Sequence, residues 1–272
     1  MILVAILIGT LLAGIGSVWL AAALSFGALA RYTQHMLSMA AGALLSTALL
    51  HLLPEAFEGQ ADAHDLFLTL LIGVLFFFLL DKAELWHHGH EHHHRAEDGH
   101  EHHVQLHAHH PHGHDHGHAH ARMPGAWSVL TGDSVHCFGD GVLIASAFMA
   151  DMRLGAIAAL AVLAHEVPHH MGDLVLLRAG SDNRRMALVK VSLAGAITAL
   201  GGCAGYWLVD RLQDYLPYFL VVASSSFVYV ALADLIPQLQ KRLSTRQTLA
   251  QVAALVGGIV LVALVSGLGH GH

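Results

Sequence analysis

Residues 127–177 read WSVLTGDSVHCFGDGVLIASAFMADMRLGAIAALAVLAHEVPHHMGDLVLL, two long apolar runs joined at Asp151 and Arg153, each carrying ionisable side chains deep within it. About 20 mainly apolar residues are enough to cross a bilayer as a helix. In the first run Asp133, His136 and Asp140 stand at i, i+3 and i+7, one face of a helix, with Cys137 next to His136. In the second run His165 and His169 are i, i+4 partners, as are Glu166 and His170, and Asp173 follows His169 by four. Ionisable groups at mid-membrane are costly and mark function by default. Imidazole, carboxylate and thiol converging from two adjacent helices point to coordination of a divalent transition metal. The blander reading is a buried hydrogen-bond network in which these residues satisfy one another. For Asp133, Asp173, His170 and Cys137, taken singly, that reading stays open.

The rest of the chain fits the same solvent. Of 272 residues 55% are hydrophobic and only 12% charged, with a mean hydropathy of +0.55; a soluble domain carries about 25% charged residues. We expect an all-α polytopic bundle of about eight transmembrane helices, near 2–25, 35–57, 65–85, 127–149, 154–177, 187–209, 215–236 and 247–268. The first lacks a basic n-region and exceeds the usual signal-peptide h-region, so it reads as a spanning helix. Cys137 and Cys203 lie inside apolar runs, which argues against a disulfide framework. Cys203 and Ser224, Ser225 and Ser226 read as packing groups.

Basic residues should gather on the cytoplasmic side. Counted from the N-terminus, the odd connections hold Arg31, then Lys82, Arg95 and Arg122, then Arg178, Arg184, Arg185 and Lys190, then Lys241, Arg242 and Arg246. The even connections hold only Arg153 and Arg211. Both termini are therefore expected outside and the loop between helices three and four in the cytoplasm. That loop, His87–His120, holds 17 of the chain's 26 histidines and has no apolar periodicity. It divides the membrane domain into helices one to three (1–86), a histidine-rich segment expected to be disordered (87–121), and helices four to eight (122–272). Unprotonated imidazoles there are suited to buffering or sensing metal; the bland alternative is a solvated linker that binds metal incidentally. The terminal His270 and His272 are a weaker version of the same signal.

Pro168 sits among the helix-five ligands. It lacks an N–H and clashes with the carbonyl of Ala164, so a kink is expected where the donors cluster. His165-Glu166-Val167-Pro168-His169 also matches H-E-x-x-H, the zinc-protease pattern of two histidine ligands and a glutamate base. The internal proline, the second donor set on helix four and the histidine loop all weigh against an intramembrane metalloprotease.

In GDSVHCFGDG and HEVPHHMGD the chain resembles the ZIP family of metal transporters, nearest to the subfamily with H-E-x-P-H-E-x-G-D. The resemblance extends to His51-Leu52-Leu53-Pro54-Glu55, to the histidine-rich loop and to eight spans. Cys137 replaces the family's usual Asn, and His170 the subfamily's Glu. The resemblance implies a transporter, not an enzyme, with a binuclear centre. One metal would be held by His136, Asp140 and His169. The other would be lined by Cys137, Asp140 and Glu166, assisted by His165 and His170, with Asp140 as the bridge. His51, Glu55 and Asp234 are secondary pathway candidates, alongside Asp133 and Asp173. The expected cargo is Zn2+, with Cd2+, Fe2+, Mn2+, Co2+ or Ni2+ as alternatives, and the two replacements bear on the preference among them. Expected partners are the metal ions, the lipid bilayer and, through similarity, a second copy in a homodimer; nucleic acid is not expected. The expected setting is a cell membrane, a bacterial inner membrane by the shortness of the chain. The competing functions are an exporter of the cation-diffusion type, whose soluble C-terminal domain finds no counterpart here, and a membrane metal sensor that binds without flux.

Overall fold

The structure, a computed structural model, describes residues 1–25, 33–89, 126–179, 184–239 and 244–267. It is all-α, with no strand among the described residues. Among the described residues eight helical segments follow in order. α1 comprises Ile2–Leu11, a π-helical turn at Leu12–Gly16, and Ser17–Ser25. α2 comprises Thr33–Thr47, a π turn at Ala48–Leu52, and Leu53–Phe57. α3 is Ala63–Gly89, α4 Ala126–Ala150, α5 Met152–Ala179 and α6 Arg184–Arg211. α7 begins with a 3-10 turn at Gln213–Tyr215 and continues through Leu216–Tyr229, a π turn at Val230–Leu235, and Ile236–Leu239. α8 is Thr245–Gly267.

Each expected span falls on one of these helices. Among the described residues, six are long and apolar enough to cross a membrane: α1, α2, α3, α6, α7 and α8. The two that fall short are α4 and α5, whose apolar character is diluted by the ionisable side chains that the site needs. α5 runs through Pro168 as one helix. The histidine tract from His90 to His120, the terminal His270 and His272, and the basic residues Arg31, Lys241 and Arg242 lie outside the described residues.

α2 is the central helix, with 67% of its apolar window buried, whereas α3 and α8 bury 11% of theirs. The outer helices present Phe67, Leu71, Ile72, Phe76 and Leu264 to the surroundings. A face that apolar is stable in lipid and not in water. Inside, the core joins α2, α4, α5 and α7 through small side chains such as Ala48, Ala147, Ala158 and Ala161, with Leu44, Ile144 and Phe227 filling between them.

Small residues bring the backbones close. A Cβ on Gly141 of α4 would collide with the Thr198 carbonyl of α6, and one on Gly201 of α6 with the Phe138 carbonyl of α4. α2 and α8 repeat the arrangement: Gly42 lies against the Leu255 carbonyl and Gly258 against that of Met39. The α4–α6 contact fixes the rotation of α4 about its axis, and so decides which of its side chains face α5.

Candidate metal centre

α4 and α5 run antiparallel, so the side chains of 133–140 descend past those of 165–173. Asp133, Cys137, Asp140, His165, Glu166, His170 and Asp173 are buried, while His136 and His169 are partly exposed. Their donor atoms fall into three groups, within each of which all lie within 4.8 Å of one another.

The first group is His136, Asp140, His165 and Glu166. His136 Nε2 lies 3.1 Å from Glu166 Oε1 and 3.8 Å from Asp140 Oδ2. His165 Nε2 lies 3.2 Å from Asp140 Oδ2, 3.3 Å from Glu166 Oε1 and 3.4 Å from His136 Nε2. Four donors held about 2.0–2.1 Å from one tetrahedral zinc would stand roughly 3.3–3.4 Å apart. The observed separations bracket that value. Asp140 Oδ2 and Glu166 Oε1 are buried, with imidazole nitrogens as their near neighbours. Four donors from two helices meet within the reach of a single cation.

The second group is Asp133, Cys137, Glu166 and His170. His170 Nε2 is 3.1 Å from Glu166 Oε2 and 3.7 Å from Asp133 Oδ1. Cys137 Sγ is 3.7 Å from Asp133 Oδ1 and 4.0 Å from Glu166 Oε2, spacings that suit the longer metal–sulfur bond. Glu166 thus gives one carboxylate oxygen to each group.

The third group, Asp133, His169, His170 and Asp173, shares two members with the second. His169 Nδ1 is 3.6 Å from Asp133 Oδ1 and 3.7 Å from Asp173 Oδ2.

This arrangement regroups the residues singled out in the sequence. By donor atoms His169 groups with Asp133, His170 and Asp173, and His165 with His136 and Asp140, while the His169 ring also lies 5.5 Å from that of His136, beside which it was expected. Glu166, not Asp140, spans two groups. His165 and His169 are one helical turn apart on α5, so each meets a different stretch of the antiparallel α4. His51 and Glu55, both half-buried on α2, stand outside the three groups. His51 lies on the π turn of α2, its Nδ1 3.2 Å from the Ser46 carbonyl. Asp234 lies on the π turn of α7, and its side chain is outside the described residues. Asp62, His64 and Asp65 form a further exposed group at the start of α3. The His64 amide donates to Asp62 Oδ1 at 2.8 Å, an ordinary helix N-cap.

Two outer contacts orient the imidazoles. His165 Nδ1 lies 3.2 Å from the Ala161 carbonyl, which can only accept, so Nδ1 carries a proton and, in the neutral imidazole, Nε2 is the lone pair facing the first group. His170 Nδ1 lies 3.0 Å from Ser17 Oγ, and the Ser17 hydroxyl donates to the Gly14 carbonyl. With its one hydrogen used there, Ser17 accepts from His170 Nδ1, and His170 Nε2 is left as a lone pair facing two carboxylates. Nothing in the sequence singles out Ser17: it is one hydroxyl in an apolar span, 153 residues from its partner.

The family model for ZIP zinc transporters matches residues 83–266, more than half of the chain. Among curated proteins, zinc transporter ZIP13 of Pongo abelii is 28% identical over 96% of this chain and 77% of its own length. Zinc transporter ZIP13 of Mus musculus is 28% identical over 96% of this chain and 79% of its own. Zinc transporter ZIP4 of Homo sapiens is 35% identical over 52% of this chain and 22% of its own length.

Proposed function

The chain belongs to the ZIP zinc transporter family, and on that premise we propose that it takes up a divalent transition metal, zinc foremost, into the cytoplasm through a binuclear site between α4 and α5. One ion is held by His136, Asp140, His165 and Glu166. Its neighbour is held by Asp133, Cys137, Glu166 and His170, with Glu166 as the bridge. The observation that carries this reading is the spacing of the first four donors, 3.1 to 3.8 Å between the pairs given above and close to that expected around one tetrahedral ion, with Asp140, His165 and Glu166 buried between two apolar helices.

Orientation is argued from charge. The excess of basic residues in the odd connections supports termini outside and the histidine loop in the cytoplasm. There the loop's imidazoles would receive the ion. A mixed nitrogen, oxygen and sulfur donor set suits zinc and cadmium better than the harder manganese. The donors must give up protons to bind, so metal and proton compete for the same atoms. Similarity to the family supports a homodimer in a cell membrane.

The protease alternative requires His165 and His169 on one metal, with Glu166 free to act as base. Here the two histidines belong to different groups and Glu166 is shared between two of them. That favours carriage over hydrolysis.

The test is metal flux into proteoliposomes holding the purified full-length chain. Wild type should accumulate radioactive zinc or cadmium, and His165→Ala with Glu166→Gln should not. If wild type moves no metal under any gradient, transport is wrong. If the double variant moves it as fast as wild type, the site is wrong.

A further inference from the structure

Cys137 sits where three helices meet. Its Sγ lies 3.7 Å from Asp133 Oδ1 on its own helix, α4, and 4.0 Å from Glu166 Oε2 of α5. From α6, Thr198 makes a side-chain hydrogen bond to it. Thr198 is buried at the middle of α6 and is not itself a candidate ligand.

Main chain holds that hydroxyl in place from two sides. The Thr198 carbonyl is the atom a Cβ on Gly141 would strike, and Gly141 lies one turn beyond Cys137 on α4. A Cβ on Gly14, in the π turn of α1, would come within 2.7 Å of Thr198 Oγ1. Two glycines thus let α1 and α4 close around Thr198, and the register of α4 on α6 sets its side chain against the sulfur. Thr10 and Thr47, in other helices, donate to the carbonyl four residues back, the common use of a hydroxyl in an apolar span.

The sulfur needs a donor once metal is bound. A thiol has one hydrogen and gives it up to bind as thiolate, after which it can only accept. Asp133 and Glu166, ionised to bind the same cation, can only accept as well. Of these three neighbours, Thr198 alone can donate to the sulfur in the metal-bound state.

We infer that Thr198 is a positioning residue of the metal site, whose hydroxyl donates to the Cys137 thiolate and holds Sγ on the ion shared with Asp133, Glu166 and His170. This rests on the reading of Cys137 as a ligand. Ser17 serves His170 in the same way from α1, and the Gly14 carbonyl that takes the Ser17 proton belongs to the residue packed against Thr198. The nitrogen and sulfur donors of the second group are therefore both oriented from the helices behind it.

The test is the thiolate-to-cobalt absorption of the full-length chain in micelles. A Cys203→Ser background leaves Cys137 as the one thiol, and the histidine loop adds nothing to the band. Thr198→Val removes the hydroxyl and keeps the branched shape. Without its hydrogen bond the sulfur lone pair rises in energy, so the band should move to longer wavelength, and cobalt affinity read from it should fall about tenfold. Thr198→Ser should return both. A band that stays in place in Thr198→Val overturns the proposal, even if affinity falls, because lost packing alone would weaken binding without altering the sulfur. A shift that Thr198→Ser fails to reverse overturns it too. Wild type without any such band removes Cys137 from the ligands, which sinks the second half of the binuclear reading and this inference with it.

Discussion

Ser17 of α1 accepts a hydrogen bond from Nδ1 of His170 on α5, 3.0 Å away, while its own hydroxyl proton goes to the Gly14 carbonyl. The pairing holds one tautomer of a fully buried imidazole and aims Nε2 at Glu166 and Asp133. It also ties the π turn of α1 to the donor groups, because Gly14 lies in that turn and Ser17 directly follows it. Such outer contacts are worth 10–100-fold in metal affinity.

Ser17→Ala should therefore weaken binding at the second group by about tenfold, and Ser17→Thr, which keeps the hydroxyl, should retain most of it. Cobalt titration reads this directly, since the thiolate-to-cobalt absorption reports on Cys137 and is blind to the histidine loop. A Ser17→Ala curve superimposed on wild type would show that the contact does not orient the ligand.

Glu166 and Asp140 should differ in what they cost. Glu166 faces two groups and Asp140 one. Glu166→Ala is expected to lose both tightly bound cadmium ions relative to wild type, and Asp140→Asn only one. Equal losses would deny Glu166 its bridging place.

Acid should weaken binding, and the sign follows from the donors alone. Each imidazole and carboxylate that binds metal must release any proton it carries, so protons oppose the metal as pH falls. With two histidines in the first group, apparent affinity should fall by up to about a hundredfold per pH unit once both are protonated in the free protein. Zinc affinity measured across a pH series checks this; a flat profile would mean that the imidazoles are not ligands.

Cys137 is the soft donor of the second group. Replacing it by Asn should lower the preference for cadmium over manganese by about tenfold, through loss of cadmium affinity rather than gain of manganese. Competition between the two ions in flux assays measures the ratio. An unchanged ratio would place the thiol outside the coordination sphere.

How much of this is visible in the linear chain differs from residue to residue. The helices are legible because roughly 20 apolar residues have one stable form in lipid. The donors are legible because an acid or imidazole inside such a run has little other reason to be there. Their grouping is not. Helical periodicity places His165 and His169 on one stripe of α5 but cannot say which turn of α4 each will meet; that depends on how α4 sits on α6. The π turns at Leu12–Gly16, Ala48–Leu52 and Val230–Leu235 each shift the phase of a helix midway, and no residue pattern announces them. Ser17 escapes notice for the same reason, since its partner is brought to it only by packing.

The placement of α4 gives the last prediction. Gly141 and Gly201 each meet a backbone carbonyl of the opposite helix, at Thr198 and Phe138, with no room for a methyl group. Gly201→Ala cannot be relieved by a side chain moving aside, because the obstacle is main chain. Separating α4 from α6 should cost about 1–3 kcal/mol in stability and lower the unfolding temperature in micelles. The same separation pushes α4 toward α5 or turns it about its axis, so the spacing of His136 and Asp140 from His165 should change with it. Metal affinity of the first group is then expected to fall even though residue 201 carries no donor. A variant that lost stability yet bound cobalt as tightly as wild type would show that the α4–α6 glycine contact sets the packing but not the geometry of the site.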